Sequence, residues 1–321
     1  MALYTHLSRK EINQLASRFG LPTPRSSRGI LQGTVNTYYR LAYPDRAIYL
    51  KIDEVGDFNR LRRELAILKR LARLRNPGFA TPVPIRAKTG FFFVTYRSRA
   101  VLLFREIPGS PILHRPFRPD EIRQIGRALA KLHLSSAPPP LPPHRFHLPE
   151  LFRIYRQIGN SLRKKHPAVD LEIRQWLRWL HQHEPKKIPQ GLIHADLFPE
   201  NILFEKGRLK GILDFEAAGW GSHLFDIATT IHACCLRRQR IDLRLAREFL
   251  RSYRRVRKIT SKETGAFGYF FCQSAVRFLL TRLRDFELKD GEVRAKPFKD
   301  YREYFNRLSE IPGWIKALGG K

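Results

Sequence analysis

The residues with the most chemical potential in the chain fall in one string, His194-Ala-Asp-Leu-Phe-Pro-Glu-Asn-Ile-Leu-Phe-Glu-Lys-Gly-Arg-Leu-Lys-Gly-Ile-Leu-Asp-Phe-Glu216. Asp196 follows a short apolar strand pattern, and Asn201 opens the next one. A turn carrying Gly207 sends the chain back, so position 201 is expected opposite about 212. Asn201 and Asp214 should then meet at the open end of a hairpin, where the Asp196 loop also arrives. Two carboxylates and an amide oxygen suit a hard cation. Mg²⁺ takes one or two such side chains and leaves its other positions to water and substrate phosphates. Asp and Asn are common in ordinary turns, and what raises this set above that use is the complete string with a hairpin between its parts. His194 reads as a brace for the loop, because Asp196 already meets the need for a base.

The spacing His-x-Asp-x-x-x-x-Asn followed by Asp-Phe-x is the arrangement of kinase-like phosphoryl transfer. In that chemistry Asp196 orients an acceptor hydroxyl and takes its proton. Asn201 and Asp214 hold Mg²⁺ across the phosphates of ATP. The phosphate-binding parts are expected upstream. Gly33, Thr34, Asn36 and Thr37 lie at the tip between two strand patterns, where backbone N–H groups could cover a triphosphate. Lys51, on the next strand, is the natural ammonium for the α- and β-phosphates, and Glu64 on the following helix is its partner. The crossing segment Phe104-Arg105-Glu106-Ile107 is the expected hinge for adenine. No G-x-x-x-x-G-K-[ST] loop occurs in the chain. Intact Lys51, Asp196, Asn201 and Asp214 argue against an inactive scaffold.

The elements that must position these residues are legible in outline. Ser8 with Glu11 three residues on predicts a capped helix over 7–18. Residues 28–52 read as a β-hairpin turning at Tyr43-Pro44-Asp45, and 90–105 as another turning near Arg97–Arg99. Leu61, Leu65, Leu68, Leu71 and Leu74 mark a helix over 57–75. Helices are predicted from Asp120 to Leu134 and at about 149–165 and 169–183, with short strands over 190–215. From Phe225 onward the pattern is helical. This is an α+β order, not βαβ alternation. It predicts a bilobal protein-kinase-like fold, with a small antiparallel-sheet lobe over 1–106 that binds nucleotide. A larger helical lobe over 107–321 carries the catalytic loop and the metal-binding hairpin.

Composition narrows the alternatives. The 321 residues are 43% hydrophobic and 12% aromatic, enough for a sizeable core and too much for a disordered chain. Three cysteines, an odd number without metal-ligand spacing, argue against a disulfide framework and point to a reducing compartment. The start lacks a secretory pattern and no apolar run is long enough to span a bilayer, so a cytoplasmic protein is expected. Lys and Arg number 60 against 29 Asp and Glu, a net charge of +31 that favours anionic ligands. The basic runs sit on predicted amphipathic helices with no nucleic-acid-binding motif, so no specific nucleic acid is expected.

The cluster GLIHADLFPENILF…GILDFEAAG resembles the catalytic core of the aminoglycoside-phosphotransferase-like kinases. The opening YTHLSRKEINQLASRFGL, the stretch GILQGTVNTYYRL and the late segment SAVRFLLTRLRDF…KPFKDYREYFNRL are similar to the homoserine kinases of that fold, and the likeness covers nearly the whole chain. His232-Ala-Cys-Cys235 departs from the string usual there, and Tyr38 stands where Asn is common. The resemblance implies ATP-dependent phosphorylation of the L-homoserine hydroxyl, a step toward threonine. Asp196 would be the base, Asn201 and Asp214 the magnesium ligands, and Lys51 the phosphate ligand. A zwitterionic acceptor needs a cation for its carboxylate and an acid for its ammonium. Glu216, Arg277 and Arg282 are the candidates. Choline, an aminoglycoside or a protein hydroxyl are the alternative acceptors.

Overall fold

The computed structural model describes residues 3–31, 35–73, 78–135, 141–238, 240–288 and 300–317, in two compact units. The first unit is Met1–Ser110 with Leu203–Glu205 and Lys210–Glu216. Its first helix, α1 (Arg9–Arg18), starts as expected: Ser8 Oγ accepts the Glu11 N–H, and the Glu11 carboxylate accepts the Ser8 N–H at 2.8 Å. The strands β1 (Ser26–Ile30), β2 (Thr37–Ala42) and β3 (Ala47–Asp53) precede α2 (Phe58–Leu71), whose N-terminus Asp57 caps. Strands β4 (Val94–Tyr96) and β5 (Arg99–Arg105) complete a five-stranded antiparallel sheet ordered β1-β2-β3-β5-β4. The β2–β3 turn closes through the Tyr43 N–H on the Arg46 carbonyl. Arg97 and Ser98 both take positive φ in the β4–β5 turn, the backbone twist that a tight hairpin requires.

Strand alternation decides what β3 does. Ile48, Leu50 and Ile52 face a core shared with Leu41, Val101 and Leu103 and with Ile12 and Leu15 of α1. Lys51 therefore points to the opposite face, paired in register between Tyr38 and Leu102. That face is the one α2 covers.

The second unit is Pro111–Ile202, Lys206–Leu209 and Ala217–Lys321. Strand β6 (Ser110–Pro111) leads to α3 (Pro119–Leu134), α4 (Leu148–Lys165) and α5 (Pro167–Gln182). Strand β7 (Gln190–Ile193) is followed by a 3₁₀ turn at Pro199–Asn201, then β8 (Ile202–Glu205) and β9 (Arg208–Ile212). These two strands join β6 in a three-stranded sheet, and most of their residues group with the first unit. Strand β10 (Gly219–Ser222) pairs with β7. Helix α6 (His223–Cys234), strands β11 (Leu236–Arg237) and β12 (Arg240–Ile241), and helices α7 (Leu243–Arg254), α8 (Ser261–Arg282) and α9 (Arg302–Ala317) finish the unit.

Helices α3 and α7 approach closely at Gly126. A Cβ there would stand 2.7 Å from the Phe249 carbonyl oxygen and 2.3 Å from Ser252 Oγ. Strand β10 also depends on a missing side chain, since a Cβ at Gly219 would lie 2.7 Å from the His144 backbone. The segment after Phe225, read from sequence as continuously helical, is interrupted by the two-residue strands β11 and β12. Among the described residues no helix is long and apolar enough to cross a membrane.

Candidate active site

In the first unit, Lys51 is the centre of a buried charge cluster. Its Nζ lies 3.0 Å from Glu64 Oε2 and 2.6 Å from Glu216 Oε1. Arg60 bonds Asp53 at 2.7 Å and Glu216 at 3.2 Å, and Asn36 Nδ2 donates to Glu216 Oε1 at 2.5 Å. Burial works to lower the Lys51 pKa, but Glu64 and Glu216 outweigh it and hold the ammonium well above its ordinary value. Burial pushes the Glu64 carboxyl up, against the pull of Lys51. The cluster thus fixes one permanent cation against α2, as the expected Lys51–Glu64 pair requires.

Glu216 differs from its expected place. It was a candidate for the acceptor, but its carboxylate is committed to Lys51, Arg60 and Asn36. The grouping of the chain explains this: Asp214 and Glu216 end the segment Lys210–Glu216, which belongs to the first unit with Lys51. Thr37 differs too. Its hydroxyl is buried, donating to Glu54 and accepting the Thr5 N–H, so it ties the sheet to the N-terminal segment instead of facing a ligand. Gly33 and Thr34 lie outside the described residues. Phe104 is buried on β5. The Glu106 N–H donates to the Ala47 carbonyl, and its carboxylate pairs with Arg40 at 2.8 Å.

In the second unit, the chain leaves β7 through fully buried His194 and then Ala195, which is held at φ +63°. A left-handed alanine needs external support, and Asp226, in the first turn of α6, gives it. Asp226 accepts the N–H groups of His194 and Ala195, each at 2.7 Å, and contacts His133 Nε2 at 3.0 Å. Burial depresses the His133 pKa well below its usual value, so the ring is neutral. Its Nε2–H donates to Asp226, and Nδ1 accepts the Tyr253 hydroxyl at 2.6 Å. Burial raises the Asp226 carboxyl to about 6, against the stabilising backbone N–H groups. His194 Nδ1 accepts the Asp196 N–H at 3.2 Å, and Asn201 Nδ2 donates to the Asp196 carbonyl at 3.0 Å.

The backbone of Asp196 is therefore clamped on both sides, while its side chain stays 28% exposed. One carboxylate oxygen accepts Arg277 Nη2 at 2.7 Å. Arg277 is buried between two aromatic rings, its guanidinium carbon 3.7 Å from the Phe146 centroid and 4.0 Å from that of Phe278. Burial lowers its pKa, against the opposing pull of Asp196. Arg282 is engaged elsewhere, with the Asp300 carbonyl and Glu303.

The expected metal ligands are both oxygen donors. The Asn201 amide nitrogen is used on Asp196, which leaves its oxygen as the ligating atom. Asp214 is set at φ +61°, a strained conformation of the kind found at functional sites. This donor set fits a hard cation such as Mg²⁺. Among the described residues no group of three or more His, Cys, Asp and Glu side chains is placed to hold a metal. The sequence reading missed Arg60, Asp53, His133 and Tyr253. Two of these had a signal: Asp53 shares a strand face with Lys51 at i+2, and Arg60 shares a helix face with Glu64 at i+4.

Residues 26–259 match the model of a phosphotransferase enzyme family. The chain is 30% identical over 314 residues to a homoserine kinase of Chelativorans sp., covering 96% of this chain and 95% of that protein. It is 29% identical over 323 residues to a homoserine kinase of Parvibaculum lavamentivorans, covering 99% and 98%. Among solved structures it is similar to a spectinomycin phosphotransferase in complex with ADP and spectinomycin, with a TM-score of 0.70 and 13% identity over 98% of this chain and 99% of that one. A microcompartment-associated aminopropanol kinase gives a TM-score of 0.64 and 16% identity, covering 96% and 95%. The structural likenesses establish the kinase-like fold, and the family match extends over both the Lys51 cluster and the Asp196 loop. The chain belongs to the phosphotransferase enzyme family.

Proposed function

We propose that this enzyme transfers the γ-phosphoryl group of ATP to the hydroxyl of L-homoserine. The observation that carries this reading is the near-full-length similarity, at 28–30% identity, to homoserine kinases of several bacteria. The likeness to antibiotic phosphotransferases, by contrast, is one of fold.

The roles follow from the chemistry of the residues. Lys51, held cationic by Glu64 and Glu216, neutralises the α- and β-phosphates. Asn36 supports the loop over the phosphates, to which Gly33 and Thr34 also belong, and the backbone around Phe104 and Glu106 meets adenine. Asn201 and Asp214 hold Mg²⁺, which when bound draws negative charge from the β- and γ-phosphates. Asp196 receives the acceptor hydroxyl, orients its oxygen toward the γ-phosphorus and takes its proton as the new P–O bond forms. The bond to the ADP oxygen breaks in the same transfer. Arg277 supplies the cation for the acceptor carboxylate. Nucleotide binding belongs to residues 1–106 and acceptor binding with catalysis to 107–321, in a cytoplasmic enzyme.

Phosphorus NMR of the product tests the reading. Incubation with Mg·ATP and L-homoserine should yield ADP and a phosphomonoester coupled to the C4 methylene protons. An acyl phosphate on the carboxyl, or no phosphomonoester at all, would refute it.

A further inference from the structure

The contact between Asp196 and Arg277 has a consequence for acceptor choice, which rests on the reading of Asp196 as the base. Arg277 is only 5% exposed, and its guanidinium lies over the Phe146 and Phe278 rings, which hold it in place. Its Nη2 donates to Asp196, while its buried Nε has no hydrogen-bond partner. An orphaned buried donor on a charged group is expensive to maintain, and here it sits beside a partly exposed carboxylate. Arg145 adds a second positive charge nearby. The guanidinium is a planar fork suited to bidentate carboxylate binding, yet it is used on one edge alone.

We propose that Arg277 is a latch on the catalytic base. With no acceptor bound it holds one oxygen of Asp196, which keeps the base from activating water. The acceptor's carboxylate takes the guanidinium, Nε included, and so frees Asp196 to receive the acceptor hydroxyl. In a 4-hydroxy-2-amino acid the hydroxyl oxygen lies four bonds from the carboxylate carbon, a reach of about 5 Å. That length lets one molecule occupy both groups. Once Asp196 is released, the proton passes from the attacking hydroxyl to its carboxylate, the oxygen bonds to the γ-phosphorus, and ADP departs. Water in place of the hydroxyl would give ADP and inorganic phosphate by the same steps. The latch suppresses that reaction until a carboxylate arrives, and it selects acceptors that carry one.

The test uses the unmodified enzyme first. L-2-Aminobutyrate has the carboxylate and ammonium of homoserine but no hydroxyl. At concentrations that compete with homoserine it should raise ATP hydrolysis to water by about 5-fold or more, whereas 3-aminopropan-1-ol, without the carboxylate, should be a poor acceptor. In the variant Arg277→Met, acceptor-free hydrolysis should rise and no longer respond to 2-aminobutyrate. Its preference in kcat/KM for homoserine over 3-aminopropan-1-ol should fall by about 100-fold. Arg277→Lys keeps a charge without the fork and should fall between. Competition by 2-aminobutyrate with no added hydrolysis, or an equal loss for both acceptors in Arg277→Met, overturns the latch. Failure of the unmodified enzyme to phosphorylate homoserine is a separate result, and refutes the substrate reading instead.

Discussion

Replacing Lys51 by Met tests the buried cluster most sharply. Glu216 would keep Arg60 and Asn36, but Glu64 would lose the group it bonds at 3.0 and 3.2 Å. Breaking a buried pair by removing one partner costs about 3–5 kcal/mol. A carboxyl left alone there takes a proton instead of staying charged, which sets the loss near the lower end, about 3 kcal/mol. At roughly 2–4 °C per kcal/mol the melting point should fall by about 6–12 °C. The double variant Lys51→Met, Glu64→Leu removes the stranded acid and should recover to within about 1 kcal/mol of the original. The sign with pH is set by linkage. A carboxyl whose pKa is raised in the folded state binds more protons folded than unfolded, so stability falls as pH rises through that window. The deficit of Lys51→Met should therefore shrink on acidification. Thermal melts with and without Mg·ATP complete the assay. The original enzyme should gain about 2.7 kcal/mol at a hundredfold excess over Kd, and both variants should gain little. A Lys51→Met variant that melts like the original and responds to ATP like the original would refute the reasoning.

Asp196→Asn should lower kcat by about 10²- to 10⁴-fold while Mg·ATP affinity, by calorimetric titration, changes little; near-normal turnover would remove the base from Asp196. Asp226→Asn retains one acceptor oxygen and relieves a buried charge, so its melting point should move little. It leaves one loop N–H without its carboxylate, and kcat should drop about 10²-fold; equal retention of stability and turnover would show that the tether does not position the base. Glu121 is held at about 2 by hydrogen bonds from Arg115 first and by the Arg118 N–H, below its ordinary 4.5. Its contribution is complete above pH 4.5 and is lost as pH falls toward 2. Denaturant midpoints at pH 3 and pH 6 should differ less in Glu121→Gln than in the original.

Local chemistry was the most legible part of the fold. Ser8 and Glu11 announced α1 because a capping box is written in four consecutive residues, and the leucines of α2 marked its buried face. The glycines of β10 carry no strand pattern, since their use depends on the distant His144 backbone. Strands β11 and β12 are too short to show alternation. Within the site, Lys51 and Glu64 were readable through a known spacing. The commitment of Glu216 to Lys51 was not, because it depends on how residues far apart in sequence pack. For the same reason His133 and Tyr253 were missed. Each is an ordinary helix residue until tertiary packing brings it to Asp226.

The most direct measurement of the central claim is ADP release with Mg·ATP, compared across L-homoserine, L-serine, choline and kanamycin. The account predicts strong stimulation by L-homoserine, with kcat/KM at least about 100-fold above the others, the margin expected where buried polar groups must all be matched. Stimulation by choline or kanamycin instead, with homoserine at the background rate, would contradict it.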